Sequence, residues 1–242
     1  MPPNEKQSRS SARTLKLVLH ELAVPIVALR GSLDFAKHEL ASKDIRLSED
    51  WIQEAWTCTE FMVQMIQNAE IIANRDLAQP AVNLGDIKLD EVAKSGAMQA
   101  MRLLPKEFSS NNMANLNDLK MIPSLRGDRE LLTQLWFNLF WFSLRGSRKS
   151  KTEVLAEATE YGWRIFYRNH RPIAPSGGNP LVSTARIPEE VLMSKKSSAM
   201  TMALIVGREI MRQHGGEIEI SETERLTQII LFFPERLFES RF

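Results

Sequence analysis

Apolar residues recur along the first third of the chain at alternating spacings of four and three. Leu15, Leu19, Leu22, Ile26, Leu29, Leu33, Ala36 and Leu40 form one such series. That period is the stripe of an amphipathic helix in a bundle, and it predicts a helix from Ala12 to Ser42. Pro25 falls inside it and, by removing an internal hydrogen bond, is expected to bend the helix about a turn after His20.

After a polar turn at residues 43–48, Ile52, Ala55, Thr59, Met62, Ile66, Ala69 and Ala73 repeat the alternation, with Ser48 as the expected N-cap. Trp51, Cys58, Met65 and Ile72 flank this stripe and widen the apolar face beyond what one partner helix covers. Two hairpins pairing into a dimeric four-helix bundle would cover it, so a homodimer is expected.

The pattern changes at residues 75–83, RDLAQPAVN, whose polar and proline-containing character is that of a linker. Beyond it, helices are expected at residues 88–101, 129–145 and 199–214. Strands are expected at 120–124, 153–159, 163–167, 217–221 and 228–233. Mixed elements of this kind suggest a two-layer α/β sandwich. The divisions are a flexible N-terminus at 1–11, a helical hairpin at 12–78 and a sandwich at 79–242.

Composition narrows the function classes. The 242 residues are 43% hydrophobic, enough for a buried core, and 31 basic against 30 acidic residues leave a net charge of +1. No long-range field draws the chain to nucleic acid. The single cysteine, Cys58, permits no internal disulfide and suits a reducing, cytoplasmic setting. Met1 to Ser11 lack the apolar core of an export signal, and no later stretch is apolar for the length of a bilayer, so no membrane association is expected.

With the apolar stripe at heptad positions a and d, His20 falls at b, one step toward solvent. Glu21 beside it can accept a hydrogen bond from one imidazole nitrogen, fixing the tautomer that presents the other lone pair to an electrophile. His20-Glu21-Leu22, Pro25, Leu29-Arg30-Gly31 and Leu33 together resemble the H-box of two-component histidine kinases. The resemblance implies that His20 accepts a phosphoryl group. Ala23 and Val24 depart from the family pattern at positions usually basic and then Thr or Asn, which removes support for a phosphatase step.

The rest of the chain resembles the ATPase-like (GHKL, Bergerat-like) domain of those kinases. Leu125-Arg126-Gly127-Asp128, with Gln134, Asn138 and Leu139, is similar to the N-box helix and the residues leading into it. His214-Gly215-Gly216-Glu217 is similar to the turn after the G2 box. The nucleotide-binding positions are eroded. Phe142 and Arg145 stand where the N-box has a magnesium-binding asparagine and a lysine, and a phenyl ring offers no hard oxygen ligand. The G1 box falls on residues 168–173, where Arg168, a donor only, takes the place of the adenine-reading aspartate. The G2 box falls on residues 199–204 and has no glycine, so its backbone loses the freedom to approach phosphates.

The expected fold is therefore α+β: a hairpin dimerising into a four-helix bundle, then a degenerate GHKL sandwich. The expected function is a histidine phosphotransferase, similar to those of the ChpT type, shuttling phosphoryl groups through His20 to or from response-regulator receiver domains. Glu21 assists, and Ala23, Val24 and Val27 form the docking surface. No ATP or other resident cofactor is expected, Mg²⁺ being supplied by the partner receiver. A non-catalytic adaptor that binds signalling proteins is the competing reading.

The aromatic run Trp136, Phe137, Phe140, Trp141 and Phe142 is expected to be core, or a protein-docking patch if exposed. Gly177-Gly178 lies in a proline-rich loop with no following helix signal. His38 is expected at the surface, and His214 is expected to cap a helix.

Overall fold

A computed structural model of the chain describes residues 3–41, 45–73, 82–103, 114–146, 151–170, 198–223 and 226–238. It divides into two units, Met1–Ala73 and Asn74–Phe242.

The first unit is two packed helices, α1 (Pro3–Ala41) and α2 (Ile45–Ala73). Residues 3–11, expected as a flexible tail, instead extend α1. Pro3 occupies the first helical position, where its fixed φ suits the helix and its missing N–H is not needed. Helix-forming Glu5, Lys6 and Gln7 follow it. Pro25 lies inside α1, which continues on both sides of it. Phe35 near the end of α1 stacks on Trp51 near the start of α2, with ring centroids 4.8 Å apart, so the pair runs as a hairpin.

The expected stripe on α1 divides in two. Pro25, Ser32 and Ala36 are buried and Leu22 and Leu29 half-buried, while Leu19, Ile26, Leu33 and Leu40 are at least 50% exposed. On α2, Ala55, Phe61, Met65, Asn68 and Ile71 are buried, and Ile52, Trp56, Val63 and Ile66 are exposed. Each helix thus spends one side on its neighbour and leaves a second apolar side uncovered in the single chain.

In the second unit, β1 (Leu84–Ile87) pairs antiparallel with β2 (Leu125–Asp128). A four-stranded antiparallel sheet has the order β3-β4-β6-β5, built from β3 (Lys151–Thr159), β4 (Gly162–His170), β5 (Glu217–Glu222) and β6 (Leu226–Pro234). Helices α3 (Leu89–Arg102), α4 (Arg129–Gly146) and α5 (Ser198–Gln213) complete it, so the described residues form an α+β fold.

The strand expected at 120–124 is a 3₁₀ turn at Asn117–Met121, followed by β2 at 125–128. The Asn115 side chain accepts from the Asn117 amide at 3.0 Å, and Pro123 has no N–H for a ladder, so turn chemistry outweighs the apolar Met121 and Ile122.

The core lies between α4 and the inner face of the sheet. Trp136 and Phe140 pack with Tyr167, the Phe140 ring meeting it edge-on at 5.4 Å. Tyr167 is fully buried; its hydroxyl donates to the Leu139 carbonyl at 3.0 Å and bonds Ser143 Oγ at 2.7 Å. Burial raises its pKa far above the ordinary phenol value, against the opposing hydrogen bonds from Ser143 and Thr152.

Helices α3 and α4 approach closely at Gly96, where an added Cβ would lie 2.6 Å from the Phe137 amide nitrogen. Helix α5 ends as its sequence suggests. Gly215 adopts φ +67°, and the Gly216 amide donates to the Met211 carbonyl at 2.8 Å, the Schellman arrangement.

Candidate functional site

Of the expected site residues, all lie on α1, whose 3.6-residue period puts His20, Val24 and Val27 on one face. The side chains of His20 and Glu21 lie outside the described residues. Ala23, Val24 and Val27 are exposed, Val24 to 57% and Val27 to 72%. Val24 and Val27 are thus exposed apolar residues one and two turns past His20 along the same helix face. Phe35, two turns further along, extends that face and is 54% exposed while stacked on Trp51. Phe35 is not among the expected docking residues, although its spacing from Val24 places it on the same side of the helix.

In the second unit, the face of the sheet turned toward α4 carries a polar row across three strands. Thr152, Asn169 and Thr227 stand in register and are buried to 8%, 2% and 1% exposure. Asn169 Oδ1 has no hydrogen-bond partner among the described residues. The strand alternation corrects the expected placement of Arg168. Ile165, Tyr167 and Asn169 point inward, whereas Arg168 lies on the outer face, donates to Gln228 Oε1 at 2.7 Å and packs over the Phe166 ring. The residue facing inward at this point is therefore Asn169, whose amide oxygen can accept a hydrogen bond.

Phe142 is buried, at 7% exposure, and adds an apolar ring at the end of α4. Trp136, Phe137 and Phe140 are buried and Trp141 half-buried, with Phe137 and Trp141 stacked 6.2 Å apart, so the aromatic run of α4 is core. Ala203 and Leu204, from the expected G2 segment, are buried on α5. Residues 171–197, including Gly177 and Gly178, and the side chains of Arg145 and of residues 199–202 lie outside the described residues.

His38 is exposed, 4.0 Å from Glu39. Burial and then Glu54 push the Cys58 thiol pKa up, away from the reactive thiolate. Among the described residues, no helix is long and apolar enough to cross a membrane.

No protein-family model and no curated protein matches the sequence. Among solved structures, the histidine kinase AdeS of Acinetobacter baumannii superposes over 88% of this chain and 98% of its own, with a TM-score of 0.54 at 14% identity.

The chain has a histidine-kinase-like fold.

Likeness at this identity establishes the kinase-like architecture and nothing about activity. Histidine kinase ThkA, solved in complex with response regulator TrrA, matches 96% of this chain and 66% of its own at 16% identity and a TM-score of 0.48. A bacterial phosphotransferase matches 92% of this chain and 95% of its own at 12% identity and a TM-score of 0.42. Both are looser likenesses.

Proposed function

We propose that this chain is a dimeric histidine phosphotransferase that exchanges phosphoryl groups with receiver domains through His20. The observation that carries the reading is the exposed face of α1, where Val24 and Val27 stand uncovered beside the turn that bears His20 and Glu21 in a kinase-like fold.

In this reading the neutral imidazole of His20 attacks the phosphorus of an aspartyl phosphate on the partner. The new P–N bond forms as the P–O bond to aspartate breaks, and the carboxylate leaves with the electron pair. Glu21 accepts a hydrogen bond from the second imidazole nitrogen and stabilises the positive charge that develops there. The receiver, when it holds Mg²⁺, would supply the charge that neutralises the transferring oxygens. Positioning then supplies most of what the reaction needs from this chain. Val24 and Val27 contribute that positioning by docking the receiver.

Two features support transfer without ATP. Phe142 occupies the position of the N-box metal ligand with a buried ring. Ala203 and Leu204 fill with buried side chains part of the segment that carries glycines in active kinases. Asn169 retains an inward acceptor, so the eroded positions are those for the metal and phosphates. The dimer rests on the uncovered series Leu19, Ile26, Leu33 and Leu40, whose strict seven-residue spacing is that of a helix-packing seam. Passage of label from a phosphorylated receiver to wild-type protein, and its loss in His20→Ala, tests the reading.

A further inference from the structure

Among the described residues of the second unit, the inner face of the four-stranded sheet is covered by helix, and its outer face carries an open groove. From Ile229 to Phe233, beyond the polar Thr227 and Gln228, strand β6 is apolar on both sides: Ile229, Leu231 and Phe233 are buried inward, and Ile230 and Phe232 point outward and are half-buried. An antiparallel sheet with one solvated face alternates apolar with polar residues, and an unbroken apolar strand belongs to a sheet covered on both faces. The neighbouring strands repeat the departure. In register across the outer face, Leu155 pairs with Phe166 and Phe166 with Ile230, and Leu155 is 37% exposed.

The groove has a volume of about 550 Å³ and an apolar floor made by Phe166, Ile230 and Phe232, with Tyr161 at its end, 68% exposed. Its border is acidic. Glu160, Glu217 and Glu219 line it, with Arg164 as the one basic lining residue, and Glu157 sits beside Arg164 in the strand register. The other basic residues of this face, Lys151, Arg168 and His170, lie at the opposite end of the strands. There Glu153 binds Lys151 and His170, and Arg168 binds Gln228.

An apolar floor with carboxylates on its border is complementary to a helix with one apolar side flanked by lysine or arginine. Laid on the sheet, such a helix would form the third layer that the composition of β6 calls for. We propose that the outer sheet face is a docking site for a cationic amphipathic helix of a partner protein, seated on Phe166, Ile230 and Phe232 with its basic residues toward Glu217 and Glu219. The proposal does not rest on phosphotransfer through His20.

The test uses the full chain and two synthetic helical probes of one amphipathic pattern, one of leucine and lysine and one of leucine and glutamate. Binding is read by anisotropy of the labelled probe, and its place by methyl NMR. The leucine–lysine probe is expected to bind and to shift the methyls of Leu155 and Ile230 while Ile229 and Leu231 stay in place. Reversing the exposed border in E217K/E219K is expected to weaken it about tenfold or more. Ile230→Thr, which keeps a β-branched residue in the strand, is expected to weaken it as well. Absence of binding, equal binding of the leucine–glutamate probe, or unchanged affinity in E217K/E219K overturns the proposal. So does self-association of the chain that E217K/E219K abolishes, because a second copy would then be the occupant.

Discussion

His214 Nε2 accepts a hydrogen bond from the Asp128 amide at 2.9 Å, joining residues 86 positions apart in a buried clasp. The other ring nitrogen, Nδ1, donates to the Ile210 carbonyl at 2.8 Å, which fixes the tautomer. Asp128 in turn caps α4, its Oδ1 accepting from the amides of Glu130 and Leu131, and its Oδ2 accepts from the Asn83 amide leading into β1. The end of α5, the start of α4 and the small sheet therefore meet on two side chains.

This clasp makes stability depend on pH. Burial pushes the His214 pKa below its usual value, outweighing the raising effects of the Ile210 carbonyl and Asp128. The unfolded chain binds a proton as pH falls through about 6.5 and the folded chain does so only at lower pH, so stability falls as pH drops through that window. Urea unfolding from pH 7.5 to 5 should show the loss. His214→Ala should lower stability by roughly 1–3 kcal/mol at pH 7.5, through the orphaned Asp128 amide, and should flatten this part of the pH dependence.

Tyr167→Phe removes the hydroxyl that ties β4 to α4 at Leu139 and Ser143. The expected cost is about 1 kcal/mol, seen as a lower urea midpoint at unchanged slope.

Gly96→Ala places a methyl group against the backbone of α4. Overpacking at that contact should cost about 1–3 kcal/mol, although alanine is the better helix former, and thermal unfolding would register it.

Substituting Ile26 and Leu33 together by glutamate charges a series that the single chain leaves exposed. Sedimentation equilibrium should give a dimer for the wild type and a folded monomer for the variant. A monomeric wild type would remove the bundle from the account.

Long-period patterns were legible in the sequence, and local register was less so. The helices α2, α3, α4 and α5 follow from apolar periodicity, and β3 to β6 from alternation and β-branched content. Strand β1 escaped notice because LGDI is short, contains glycine and is exposed at three of its four positions. Its partner, β2, lies far along the chain, so no local signal marks the pair. Motif position set Arg168, a donor only, at the place of the inward acceptor, yet the two-residue period from Ile165 through Tyr167 already pointed to Asn169 as the inward residue. On α1 the stripe was plain, but a stripe does not say which half meets α2 and which half is left for another surface.

The measurement closest to the central claim is phosphotransfer from a panel of phosphorylated receiver domains to the purified chain, beside His20→Ala and beside wild type given labelled ATP alone. The account predicts label on the wild type when a receiver is the donor, none on His20→Ala, and none from ATP. Label from ATP alone would contradict transfer without kinase activity, and no label from any receiver would contradict the phosphotransferase itself.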